Sequence, residues 1–416
     1  HIRPELMFAA TEFGVFATFD AGRAWHKLSG GMPTISIRDI QIQRRENDLV
    51  AASFGRGFFV MDDYTALRDI DPDDFDTGAA LFTPRDAYWY FQKRPLGYRP
   101  KGSQGDSLYL AENPPFGSVF TYYLAESFKT QKQSRQAAAA AAKKAGDDVS
   151  FPGWREVTDE TQEQKPQVML VIHDNDGNVL RRVSAPNKAG LNRVAWDLHR
   201  SFSGPVETGK NWRGDSPSGF MVMPGSYRAK LVVVQNGVEQ TLAGPVDFNV
   251  KRLREGALPG SSLDELEAFT AELNTLYGQS SAVRYAIRDA RKSLDKIATM
   301  IERMANPTPD AHAQVHEIRV ELHDIEETVF GNDVQADIGG YEPMSVSSWL
   351  GHAMRGVSNS SYGPTPSHRQ SIEYARSAFG PVKERLNELI ENKIPALKAE
   401  LHEAGAPWTV GDPIGL

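Results

Sequence analysis

The chain has 416 residues, 40% of them hydrophobic and 24% charged, enough to bury sizeable cores in two or three domains. Its 46 lysines and arginines against 54 aspartates and glutamates give a net charge of −8, which excludes a generally cationic, nucleic-acid-coating protein. It contains no cysteine, so disulfides, thiolate nucleophiles, zinc–thiolate sites and iron–sulfur clusters are excluded, and the redox compartment stays open. No apolar run reaches the roughly 18 to 20 residues needed to cross a bilayer, so no membrane span is expected. The sequence opens His1-Ile2-Arg3-Pro4, with neither an initiator methionine nor a signal peptide, and is expected to begin inside a longer precursor whose targeting signal lies upstream.

Residues 6 to 62 read as short strands at 6–10, 14–18, 37–42, 49–52 and 58–61, alternating or apolar and punctuated by glycine and Asn47-Asp48. Between the second and third of them, Thr18-Phe19-Asp20-Ala21-Gly22-Arg23-Ala24-Trp25 fits the pattern Ser/Thr-x-Asp-x-Gly-x-x-Trp, the Asp-box. Its physical logic is a self-contained hairpin. Asp20 accepts backbone N–H bonds inside the turn, Gly22 tolerates positive φ, and Trp25 folds back as an apolar plug. These are structural roles and say little about chemistry.

Several segments together resemble the closing blade of a family of bacterial secreted proteins. They are Thr11-Glu12-Phe13-Gly14-Val15-Phe16, the Asp-box, Leu28-Ser29-Gly30-Gly31-Met32-Pro33-Thr34, Arg44-Arg45-Glu46-Asn47-Asp48-Leu49-Val50, and Phe54-Gly55-Arg56-Gly57-Phe58 through Asp62-Asp63. The family comprises the sortilin-like, or bacterial-neuraminidase-repeat (BNR), glycosyl hydrolases, and it is similar to the xyloglucanase-type β-propellers. The likeness continues into Val119-Phe120-Thr121-Tyr122-Tyr123-Leu124 and Gly190-Leu191-Asn192-Arg193-Val194-Ala195-Trp196-Asp197-Leu198. The resemblance implies a secreted, periplasmic or cell-surface protein. In xyloglucanase-type relatives the catalytic carboxylates lie on propeller segments that have no counterpart here, so no catalytic residue carries over.

Residues 64 to 85 read as a linker with an acidic stretch from Asp69 to Asp76. Strands are then expected at 107–110, 118–124, 167–172, 178–181, 192–197, 225–234 and 245–250, with regular turns that argue for an immunoglobulin-type β-sandwich. Asp174-Asn175-Asp176-Gly177-Asn178, the 192–197 strand and Met223-Pro224-Gly225-Ser226-Tyr227 resemble the immunoglobulin-like domain of flagellar hook-cap proteins. An insertion at about 126–165, rich in lysine, glutamine and alanine with six alanines from Ala137, has high helix propensity and little apolar surface; it reads as an exposed helix or a solvated excursion. From about 258 the period becomes helical. Ser262-Leu263-Asp264-Glu265 is a capping box, and Leu263, Leu266, Phe269, Leu273, Leu276, Val283, Ile287, Ala290, Leu294, Ile297, Ile301 and Met304 recur at threes and fours. A second helix is expected over 310–330 and a third, with Tyr374 on its seam, over 367–402, joined by a glycine- and serine-rich loop at 331–366. The expected domains are thus a last propeller blade (1–66), an immunoglobulin-like sandwich (67–254) and a long-helix antiparallel bundle (255–416).

Candidate sites are sparse. Asp174, Asp176 and Asn178 could open a calcium loop, but the bidentate glutamate of an EF-hand falls at Ala185, so a hairpin turn is the better reading. His312, His316 and His323 lie on one arc of a helix with Glu327, and a pair at i, i+4 can chelate a divalent metal; the absence of His-Glu-x-x-His favours histidines that flank the bundle seam. Trp154, Trp212, Trp349 and Trp408 sit near loops where an indole could stack on a sugar ring, or else pack. No cofactor motif is present. Two functions remain open. One is a binding or assembly module for carbohydrate or protein ligands, its partners being the remaining propeller blades of the same precursor or of a companion chain. The other is a glycoside hydrolase whose catalytic carboxylates lie upstream.

Overall fold

The computed structural model describes residues 2–71, 77–92, 105, 107–206, 218–306, 308–340 and 343–412, without the side chains of residues 333 and 336. The chain is a mixed β and α structure, with several β-sheets and a C-terminal helical region. It divides into two compact units, residues 1–200 with 221–254 and residues 201–220 with 255–416.

The first unit opens with β1 (Met7–Thr11), β2 (Gly14–Thr18), β3 (His26–Leu28), β4 (Ile37–Gln43), β5 (Asp48–Ser53) and β6 (Phe58–Met61). They form two three-stranded antiparallel sheets, β1-β2-β3 and β4-β5-β6. Both feed one core: Val15, Ala17 and Phe19 from the first sheet meet Ile37, Leu49 and Ala51 from the second. The expected linker is in fact part of this core. Tyr64, Leu67 and Ile70, around the short helix α1 (Ala66–Asp69), are buried in the same cluster, and Phe8 meets Tyr64 edge-on at 5.4 Å. The apolar spacing of these three side chains outweighs the acidic composition around them.

The rest of this unit comprises β7 (Ala79–Leu81), β8 (Ala87–Trp89), β9 (Ser118–Leu124), α2 (Gln131–Ala145), α3 (Trp154–Gln162), β10 (Gln167–His173), β11 (Val179–Ala185), β12 (Gly190–Trp196), β15 (Gly225–Gln235) and β16 (Val238–Arg252), while β13 (His199–Ser201) and β14 (Ser218–Met221) run across its limits at residues 200 and 221. A five-stranded sheet runs β11-β10-β15-β16-β8 and a three-stranded sheet runs β12-β9-β7. Aromatic residues fix their facing surfaces: Phe120 of β9 meets Phe248 of β16 at 5.0 Å, and Trp196 of β12 meets Tyr227 of β15 at 5.8 Å. Phe120, Tyr122 and Trp196 are wholly buried, each worth about 2–3 kcal/mol of transfer free energy. Burial demands hydrogen-bond partners for their polar tips. Trp196 Nε1 donates to His199 O at 2.9 Å, and the Tyr122 hydroxyl donates to Pro186 O; burial pushes that phenol's pKa up. Residues 107–110, expected as a strand, form none; β7 and β8 occupy the sheet positions instead, and β16 begins at Val238 rather than 245.

The insertion between β9 and β10 is a pair of helices with no buried residue in either. Thr130 caps α2 reciprocally with Gln133, Gly146 closes it at φ 85°, and Arg135 forks onto Glu160 of α3 at 2.6 and 2.7 Å. The second helix of the pair, α3, is absent from the sequence expectation.

The second unit is helical: α4 (Leu263–Glu302), α5 (Ala311–Phe330), α6 (Asp333–Asp337), α7 (Val346–Ser358), α8 (Pro366–Glu388) and α9 (Ile394–Glu403). The 40 residues of α4 span about 60 Å, and the expected capping box is formed, with Ser262 N–H donating to Glu265 and Glu265 N–H to Ser262 Oγ. Leu273, Ile287, Leu294 and Ile301 lie buried on the expected seam. Gly278 marks a close approach, since a Cβ there would fall 2.5 Å from Ser203 Oγ.

Two expectations fail in this unit. The 331–366 segment is not a plain loop, because Ser345 caps α7 and Val346, Leu350, Ala353 and Val357 form a buried stripe at helical spacing. Nor is the last helix uninterrupted. A π-turn over Leu389–Lys393 separates α8 from α9, where Ile394 N–H reaches back to Leu389 O and Pro395 has no N–H to give. Tyr374 lies off the seam, 47% exposed, against Trp349 at 4.9 Å.

Candidate interaction face

Strand β6 is a run of four apolar residues, and alternation sends successive side chains to opposite faces. Phe59 and Met61 pack on the core. Phe58 and Val60 point the other way and are 75% and 53% exposed. The register places Val60 beside Val50 and Phe58 beside Ala52, so the outward face of this sheet is apolar across two strands. Phe54, in the turn after β5, is also exposed, with the Arg38 guanidinium 4.9 Å above its ring. Strand β6 pairs with β5 alone among the described residues, which leaves a free edge beside the apolar face. An antiparallel sheet open to water normally turns polar residues outward, as β4 does on this face with Asp39 and Gln41, and the apolar side chains of β5 and β6 depart from that rule.

With a single Asp-box and strands for little more than one blade, residues 1–63 are expected from the sequence to turn Phe8, Val15, Phe16, Ile40, Val50, Phe59 and Val60 toward neighbouring blades and so to expose them in this chain; the structure corrects this. Val15 is buried, Phe8, Phe16, Ile40, Val50 and Phe59 are half-buried, and of these seven Val60 alone is exposed. The reason is the pairing of the two sheets, which consumes the inward faces of β2 and β5. Phe54 and Phe58 carry the bare surface instead. Their sequence signal is the unbroken apolar run after Gly57, since a strand without alternation is a strand meant to be covered on both faces.

The turn at residues 18–25 has a closed set of bonds. The Thr18 hydroxyl donates to Asp20 Oδ1 at 2.7 Å and accepts from Gly22 N–H at 2.9 Å, while Asp20 Oδ1 accepts from Arg23 and Ala24 N–H at 2.9 and 3.0 Å. The Ala24 amide first, and then the Thr18 hydroxyl, hold the Asp20 carboxyl below its ordinary range. Gly22 sits at φ 95°, and the Trp25 indole lies over it while remaining 45% exposed, a cover rather than a buried plug.

A second polar constellation ties the β4–β6 sheet to β12. Arg193 is mostly buried, yet donates to Asp62 O and Asp63 O at 2.6 and 2.5 Å. Asp63 holds φ 47°, stabilised by Asp48 Oδ1, which accepts its N–H at 2.9 Å. Arg85 bridges Glu46 at 3.0 Å and Asp63 at 3.7 Å. Burial first, and then Asp48, raise the Asp62 carboxyl above its ordinary value. The arrangement clamps two segments together and offers no open cleft for a substrate.

The remaining candidates disperse. His312, His316 and His323 are exposed on α5, off its buried stripe, and no group of three or more metal-binding side chains occurs among the described residues. Asp174 Oδ1 accepts from Asp176 and Asn178 N–H at 3.0 and 2.8 Å, the bonds of a hairpin turn between β10 and β11. Trp154 is 79% exposed and meets Phe151, which with Arg135, Val157 and Glu160 lines a 440 Å³ cleft. Trp349 is half-buried, Trp408 is exposed, and Trp212 lies outside the described residues. No described helix is long and apolar enough to cross a membrane. Compared with known protein families, curated proteins and solved structures, the chain matches none of them.

Proposed function

We propose that this chain is the C-terminal part of a secreted Asp-box β-propeller protein and serves as a binding or assembly module. In this reading residues 1–66 are the closing blade, 67–254 an immunoglobulin-like sandwich and 255–416 a helical bundle. The observation that carries it is the bare apolar face of β6 with its free edge, which fits coverage by a further β-sheet of the same propeller. The turn at Thr18, Asp20, Gly22 and Trp25 supports it, because its bonds are those the motif requires. The module carries no catalytic group of its own. Binding and turnover of a panel of glucans and other polysaccharides by the full-length protein test the reading: capture of a polysaccharide or protein ligand without cleavage is expected. Hydrolysis abolished by substituting paired carboxylates outside this chain would establish the glycoside hydrolase instead, and hydrolysis abolished by a substitution within residues 1–416 would overturn the reading altogether.

A further inference from the structure

Helix α8 opens with an unusual capping box. Its N-cap is Thr365, whose backbone N–H donates to the side chain three residues on, a place normally filled by glutamate or glutamine. Here the acceptor is His368 Nδ1, at 3.1 Å. A backbone N–H can only donate, so Nδ1 is bare and the neutral ring carries its proton on Nε2. The ring is wedged against α7: a Cβ on Gly356 would fall 2.6 Å from Nδ1, and the His352 ring lies 4.8 Å away, tilted by 46°. His352 is locked in the opposite tautomer. Ser371 Oγ gives its hydrogen to Ser367 O at 2.8 Å, so it must accept from His352 Nδ1, also at 2.8 Å.

We propose that His368 is a proton-sensitive helix cap, whose protonation releases the first turn of α8 together with the 360–365 loop that precedes it. A proton on Nδ1 turns the acceptor into a donor and strands the Thr365 N–H. The Thr365 hydroxyl, 3.0 Å away, can take the new N–H but cannot replace the lost acceptor. The new cation also stands at the positive end of the α8 dipole. Its charged surroundings are unfavourable: His352 and Arg355 from α7 act on it directly, and Arg369 is its neighbour on α8. From α4 and the segment entering it, Phe269 and Ser261 face Arg369, while Glu272 engages Arg376, two turns on; Glu321 of α5 engages Arg385 and Lys393, further still. Burial first, and then the neighbouring His352 ring and Arg355 guanidinium, hold the imidazole below its ordinary value of 6.5. The cap is therefore intact above about pH 6.5 and is lost as pH falls through the lower folded-state value.

Release reaches beyond α8. Ser261 N–H donates to Tyr362 O at 2.8 Å, and Gly260 and Gly363 pack so closely on Tyr362 and Ser261 that no side chain fits at either position. The loop that loosens is thus the one stitched to the entry of α4.

Amide hydrogen exchange of the full chain at pH 7.5 and 5.0, expressed as protection factors, tests the proposal, with ring-nitrogen NMR for the tautomers. The wild type is expected to lose protection over 360–368 and 259–263 by roughly five- to tenfold at the lower pH, the size of one lost cap. His368→Gln, which keeps an acceptor that cannot titrate, should hold its protection, and His352→Gln, which leaves the cap in place and removes an influence that lowers the His368 pKa, should move the loss to higher pH. Equal wild-type protection at both pH values, a His368→Gln profile that tracks the wild type, an unmoved transition in His352→Gln, or a proton on His368 Nδ1 at pH 7.5 would each overturn it.

Discussion

Arg193 is a single side chain on which two segments depend. Its guanidinium makes two charge-assisted bonds to the carbonyls of Asp62 and Asp63, in a backbone stretch that includes a left-handed aspartate. Replacing it with methionine keeps the stem's packing and removes both bonds. The expected cost is about 3 kcal/mol of unfolding free energy by urea titration; a change below about 1 kcal/mol would show that water replaces the guanidinium without penalty. Asp62 acts in the opposite sense. Its folded pKa lies above the unfolded value of 3.8, so ionisation penalises the fold as pH rises through that window. Asp62→Asn should therefore raise the urea midpoint at pH 7 and leave it unchanged at pH 3, whereas equal shifts at both would assign the effect to packing.

At the scale of elements, the α2–α3 hairpin contrasts with everything around it. No residue of either helix is buried, and its base is closed by Asn187, which accepts from Phe128 N–H and donates to Phe128 O, both at 2.8 Å. Excising residues 131–163 in favour of a short glycine–serine linker should leave the far-ultraviolet β signature and lower the melting temperature by no more than about 4 °C. A larger fall would mean that the hairpin supports the sheets. Element type is readable from sequence where burial imposes a period. The threes and fours of Leu273 to Ile301, the continuous apolar run of β10 and the alternating burial along β12 translate directly into buried stripes. It is unreadable where the signal is short or diluted: β3 is three residues led by His26 and Lys27, and the stripe of α7 is hidden among glycines and serines. The bare face of β6 was beyond alternation arguments, because Phe58 to Val60 are apolar on both sides and only the structure says which side is covered. The His368 cap was equally hidden, since capping boxes are sought through glutamate and glutamine.

At the scale of the whole molecule, both units leave large apolar side chains at the surface, Ile338 and Val410 of the helical unit among them, and what sets Phe54, Phe58 and Val60 apart is their grouping on and beside one strand. The helical unit buries the seam of α4, α5, α7, α8 and α9, and its surface ion pairs, such as Arg319–Asp295 and Arg291–Glu326, add at most about 1 kcal/mol each. The β unit buries the facing aromatic residues of its larger sheets but leaves Phe54, Phe58 and Val60 outside. This grouped apolar face is the surface on which the proposed covering sheet would sit. Sedimentation velocity of the isolated chain across a hundredfold concentration range, in parallel with Phe54→Ser/Phe58→Ser/Val60→Ser, tests it most directly. Concentration-dependent association of the wild type, abolished in the triple variant, is the result predicted; a wild-type chain that stays a monodisperse monomer throughout, indistinguishable from the variant, would contradict it.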